Sequence, residues 1–243
     1  YKDLRFEVIK TEHFDIYFYE EEREAAGHVA RMAERWYTRI SHFLDHQFTD
    51  RQPVILYASH PDFEQTNVLQ GAIGEGTGGV TESLKRRVIM PIAGTLADTD
   101  HVLGHELVHA FQYDIAAQDQ DQPGLSGMDQ LPLWMVEGMA EYLSIGPVDP
   151  HTAMWIRDAS RDEKLPGIDR LDDPQLFPYR WGQALWAYIA GRWGDSTVGT
   201  VFKEAVAARS ATTGIEQALL VSSEDLSRDW HAAIRAQYGP VLE

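Results

Sequence analysis

Two histidines four residues apart in one apolar stretch constrain this chain more than any other feature. The run from Val102 to Phe111 contains His105-Glu106-Leu107-Val108-His109, an H-E-x-x-H pattern among good helix formers. Such a run predicts a buried helix. On a helix the two histidines project from one face about 40° apart, near enough for both imidazoles to bind one cation. Glu106 lies about 100° round the axis, better placed to face a water on that cation than to join its ligands. The pattern is a zinc-hydrolase signature, and a catalytic zinc site takes three protein ligands and leaves a fourth position to water.

The third ligand has to come from another segment. Cysteine is absent, which rules out thiolates and disulfides and leaves histidine and carboxylate as donors. The best candidate is Glu137, in the apolar segment Leu133 to Tyr142 that begins just after Pro132 and reads as a second helix. Glu141, four residues on, shares its face and is expected to accept the outward ring N–H of a ligand histidine. His101 also falls on the first helix's histidine face, but His101 and His109 stand about 12 Å apart along the axis and cannot reach one ion. His101 therefore reads as a packed or capping side chain.

HELVH followed by Trp134-Met135-Val136-Glu137-Gly138 resembles the gluzincin metallopeptidases, in particular the M1-aminopeptidase-like group called peptidase MA-like, as found ahead of β-propeller repeats in large bacterial proteins. The resemblance covers about residues 53 to 195. It implies a zincin-like fold with one Zn2+ held by His105, His109 and Glu137. Pro178-Tyr179-Arg180-Trp181-Gly182 resembles the family's P-Y-x-x-G segment, which implies that Tyr179 stabilises the tetrahedral intermediate. Aminopeptidases of the family carry G-A-M-E-N, whose glutamate holds the substrate's free amine. This chain has Gly71-Ala72-Ile73-Gly74-Glu75, with the acid displaced by one place and no asparagine, so the choice between endopeptidase and aminopeptidase stays open.

A chain of 243 residues is long enough to bury a full core as one domain of two lobes. The expected division is an α/β lobe, 1–118, carrying the H-E-x-x-H helix, and a helical lobe, 119–243, carrying the third ligand. The formal net charge of −17 repels phosphate backbones and anionic lipid, so nucleic acid is not an expected partner. No apolar run reaches the roughly 18 residues of a membrane helix. A start at Tyr1 without an initiator Met or signal-like run is expected of a piece of a longer polypeptide; with the resemblance, it points to a periplasmic or extracellular setting.

In chain order, His13 to Tyr19 predicts a strand. Glu21 to His46 predicts an amphipathic helix, with His28, His42 and His46 on its surface. Pro53 to Ala58 predicts a central strand. Gly71 to Gly79 reads as a hairpin or mobile loop, because the next segment, Val80 to Met90, has the pattern of a strand and not of the helix in a dinucleotide fingerprint. That loop, with Gly78 and Gly79, and the strand Arg87 to Pro91 are candidates for a substrate-binding edge that an extended peptide joins as a strand. Asp98 or Asp100 is the expected cap of the metal-binding helix, which runs to about Ala117. After a loop from Gln118 to Gln130, helical patterns dominate: Leu133 to Tyr142, a short helix near Met154, then Trp181 to Trp193, Thr197 to Ala208, Ile215 to Leu220 and Glu224 to Tyr238, with Asp169 to Pro178 a loop that delivers Tyr179. Strands early and helices later imply an α+β fold with a small mixed sheet, an active-site helix and a helical C-terminal lobe.

The expected function is zinc-dependent hydrolysis of a peptide or protein substrate, with Glu106 as general base and Tyr179 on the oxyanion. The alternative is a non-catalytic zinc-containing binding module of a larger protein.

Overall fold

The computed structural model describes residues 4–66, 73, 77–83, 85–92, 94–117 and 125–242. They form an α+β fold whose chain divides into two compact units, one of residues 1–42 and 46–114, the other of 43–45 and 115–243.

In the first unit, β1 (Glu7–Lys10), β2 (Phe14–Phe18), β3 (Gln52–Tyr57), β4 (Val80–Glu82) and β5 (Arg87–Pro91) make one mixed sheet in the order β1-β2-β3-β5-β4. The inner pairs β2/β3 and β3/β5 are parallel, while β1 and β4 pair antiparallel at the two edges. The expected strands at His13 and Pro53 are present, and β3 is central. Phe14, Ile16 and Phe18 of β2 are buried, as are Val54 and Leu56 of β3; this period of two is that of a sheet with a packed face. β1 is an additional strand, short and largely exposed, with too little alternation to stand out in the sequence.

Two expectations about this sheet are corrected. Val80 to Met90 is a hairpin, because Arg86 adopts a left-handed turn conformation (φ 51°) and reverses the chain between β4 and β5. β5 is consequently an inner strand, paired on both sides. Its ladder is already satisfied, so an extended peptide cannot add to it.

Helix α1 (Arg23–Leu44) places Trp36, Tyr37 and Ile40 inward. A short helix, α2 (His60–Phe63), is capped by the Ser59 hydroxyl and packs Phe63 with Tyr19, Tyr57 and Ile89. Helix α3 (Leu96–Ala117) carries the H-E-x-x-H residues and buries Leu103, Leu107, Val108 and Phe111. It meets α1 where Gly104 lies against the Trp36 ring, so close that a methyl there would overlap the indole. The expected aspartate caps are replaced by Thr95, whose hydroxyl accepts from the Asp98 N–H at 3.1 Å and meets the Asp98 carboxylate at 2.6 Å. Asp100 instead accepts from the Trp36 indole N–H at 3.0 Å.

The second unit is helical: α4 (Leu133–Ile145), α5 (Pro150–Arg161), α6 (Pro178–Trp193), α7 (Ser196–Ala208), α8 (Ala211–Leu219) and α9 (Ser223–Leu242). Asp149 caps α5 through the Thr152 N–H at 2.8 Å, and Ser210 caps α8. α6 begins at Pro178, three residues earlier than the apolar pattern predicts, because proline fits the first turn of a helix and lacks the N–H that turn leaves unused. Tyr179, which the preceding loop was expected to deliver, therefore sits in the helix's first turn.

The main packing in this unit is α4 against α6. Gly138 and Gly182 meet there, and a methyl on Gly138 would fall on the Gly182 backbone, one on Gly182 on the Trp134 carbonyl. The Trp186 indole N–H donates to the Met135 carbonyl at 3.0 Å across the same interface. The backbones touch because neither glycine has a side chain to hold them apart.

Candidate metal centre

In the first unit, α3 delivers the two histidines as their spacing requires. The Nε2 atoms of His105 and His109 lie 3.1 Å apart, with ring centroids at 4.8 Å and planes crossed at 78°. Two nitrogens on one tetrahedral zinc, each about 2.0 to 2.1 Å from it, stand about 3.3 Å apart. The spacing therefore fits two ligands of one ion without moving α3.

The orientation of His109 has a cause that the sequence reading missed. Its Nδ1 lies 2.7 Å from Oε1 of the fully buried Gln112. An amide oxygen only accepts, so Nδ1 carries the hydrogen and Nε2 of the neutral ring presents its lone pair toward His105. The available signal was spacing: Gln112 is three residues after His109, on the same helix face.

Glu106 is buried and held by a second unpredicted residue, Thr81 of β4. The Thr81 hydroxyl lies 2.6 Å from Glu106 Oε2 and 2.9 Å from the Glu106 carbonyl oxygen. It has one hydrogen for these two acceptors. Nothing in the sequence ties Thr81 to position 106, because the contact depends on how β4 crosses α3. Gly79, just before β4, completes this wall: a methyl there would stand 2.9 Å from Glu106 Cγ and 3.1 Å from Val102. Gly78 likewise lies against Val102. The two glycines singled out as substrate-binding thus line the helix that carries Glu106. Of the Gly71 to Glu75 segment compared with the G-A-M-E-N motif, all but Ile73 lies outside the described residues.

His101 is half-buried, with its ring 6.3 Å from that of His105, edge to face. His46, expected at the surface, is tucked in: its side chain is 10% exposed and its Nε2 meets the buried Asp114 at 2.7 Å. Arg86 pairs with the same carboxylate. Two basic groups on one buried aspartate satisfy a charge that would otherwise be costly to bury.

In the second unit, α4 and α6 carry the remaining candidates. Glu137 is half-buried on α4, immediately before Gly138. Glu141, one turn on, is buried and accepts from Arg180 Nη1 at 3.1 Å, a guanidinium nitrogen also 3.1 Å from Asp149. Tyr179 precedes Arg180 in the first turn of α6. Its ring stacks on Phe177, centroids 5.2 Å apart and planes within 25°. A cavity of about 380 Å³ in this unit is lined by Asp149, Ile156, Trp230 and Tyr238, so it borders the Arg180 ion pair through Asp149, but none of Glu137, Glu141 and Tyr179 lines it.

Compared with known protein families the chain matches none, and no curated protein matches it. Among the described residues no helix is long and apolar enough to cross a membrane.

Proposed function

We propose that this chain is a zinc-dependent peptidase with a zincin-like arrangement of its α+β fold. The observation that carries the proposal is the pair of Nε2 atoms 3.1 Å apart on α3, with the buried Glu106 carboxylate between them in sequence. In this reading His105 and His109 are two of the ligands and Glu137 of α4 is the third. Gln112 supports it by fixing the tautomer of His109, and Glu141, engaged by Arg180, braces α4 one turn on from Glu137.

A zinc ion in such a donor set acidifies water and polarises a carbonyl oxygen. The chain's own residues do the rest. Glu106 takes the proton from the water that attacks the scissile carbonyl and returns it to the leaving amine. The Tyr179 hydroxyl donates to the oxygen on which negative charge develops, a contact worth about 2.7 to 4 kcal/mol in the transition state where it is well aimed. Thr81 holds Glu106, and Arg180 together with Glu141 steadies the helix turn next to Glu137. The substrate is a peptide or protein.

The test is Glu106→Gln. Elemental analysis should find one zinc per chain in both the parental protein and the variant, while the variant loses nearly all turnover of a mixed peptide library. Parental turnover in the variant would defeat the mechanism. Absence of bound metal from the parental protein would defeat the site.

A further inference from the structure

Two aromatic side chains follow on from Tyr179 in the second unit. The Tyr179 ring stacks on Phe177, and Phe177 in turn lies 6.1 Å from Trp155 of α5, planes within 34°. Phe177 is 44% exposed and Trp155 41%. Rings this open forgo the burial that normally rewards an aromatic side chain. The core contacts of α5 are made by other residues, Thr152 and Ile156.

We propose that Phe177 and Trp155 form a subsite for large apolar side chains of the peptide substrate, set at alternate residues on one side of the scissile bond. This rests on the reading of Tyr179 as the group that meets the scissile carbonyl. Three observations carry it. The row begins at Tyr179 itself, so it is continuous with the position where the reacting carbonyl would stand. The rings step by 5.2 and then 6.1 Å. The step from Phe177 to Trp155 is close to the roughly 7 Å between successive side chains on one face of an extended peptide. Flat, semi-rigid rings contribute contact area at small entropic cost, and aromatic partners add offset or edge contacts.

Direct binding to the inactive Glu106→Gln protein tests the subsite without turnover. Two extended decapeptides would be compared by fluorescence anisotropy, one with phenylalanine at two alternate positions and one with alanine there. The phenylalanine peptide should bind at least about tenfold more tightly, and adding Trp155→Ala and Phe177→Ala should remove that preference. Trp155→Phe should keep most of it. Both rings are exposed, so the core survives these changes, and circular dichroism checks that it does. A preference unchanged in the double alanine variant overturns the subsite, as does loss of self-association on sedimentation in place of loss of peptide preference. Parental turnover of both peptides with equal efficiency would overturn the subsite and leave hydrolysis standing. A ring-dependent preference in a protein that cleaves no peptide would support the subsite and overturn the hydrolytic reading.

Discussion

Gly138 of α4 and Gly182 of α6 touch backbone to backbone, and neither position has room for a methyl group. Each belongs to a motif that also holds a candidate site residue, Glu137 immediately before Gly138 and Tyr179 three residues before Gly182. The glycines therefore fix how closely the two helices that carry these candidates approach. Gly182→Ala must drive the helices apart or distort one of them. A loss of about 1 to 3 kcal/mol is expected, the usual cost of overpacking a tight core. Urea unfolding of the variant measures it, and an unchanged midpoint would mean that the contact yields more easily than its geometry implies.

Gln112 should be felt at the metal and hardly at the fold. Its amide oxygen holds Nδ1–H of His109, and removing such a partner typically costs 10- to 100-fold in metal affinity. Gln112→Leu keeps the volume and deletes the acceptor. Competition titration against a chromophoric chelator should show zinc binding weakened by about that factor, while the thermal midpoint without metal changes little. Unaltered affinity would remove Gln112 from the description of the site.

Much of this was legible in the sequence, for identifiable reasons. His105 and His109 could be paired because i and i+4 on a helix meet regardless of what surrounds the helix. β2 and β3 were legible through their apolar and β-branched residues, and α4 through Pro132 and its apolar run. Thr81 and the inner position of β5 were not, because both depend on a hairpin made at Arg86, a non-glycine residue with positive φ, and no turn signal marks arginine. His46 looked like a surface residue because its partner, Asp114, is 68 positions away in the chain. Thr95 was passed over as the cap of α3 because Asp98 and Asp100 stand nearer the apolar run.

Glu34 should make the first unit sensitive to acid. Its carboxylate accepts from the His13 backbone N–H at 2.9 Å and meets the His13 ring Nδ1 at 2.7 Å. Burial raises its pKa, but hydrogen bonds from His13 and Thr11 outweigh that and leave it below the ordinary glutamate range. A carboxyl group that ionises more readily when folded adds stability above its unfolded pKa and loses it as pH falls through the folded value. Replacing Glu34 with Gln should therefore cost about 1 kcal/mol near pH 7. The gap between parental and variant urea midpoints should then close as the pH drops from about 5 toward 3. A gap that stays constant with pH would show that the pair contributes through packing alone.

Thr81 tests whether Glu106 is held for chemistry or merely buried. Thr81→Val preserves the shape of β4 and removes the only hydrogen that the residue's side chain can give to the carboxylate 2.6 Å away. A general base that loses its aim should act more slowly on bound substrate. The expected result is a fall in kcat of about tenfold with KM little changed, less than the 10²- to 10⁴-fold attributed to a general base as a whole. Thr81→Ser retains the hydroxyl and should recover most of the rate. Bound zinc should be the same in all three proteins, because the Thr81 hydroxyl engages Glu106 and neither histidine ring. If the valine variant keeps the parental kcat, the shape of residue 81 and not its hydroxyl positions Glu106, and the hydrogen bond has no catalytic part.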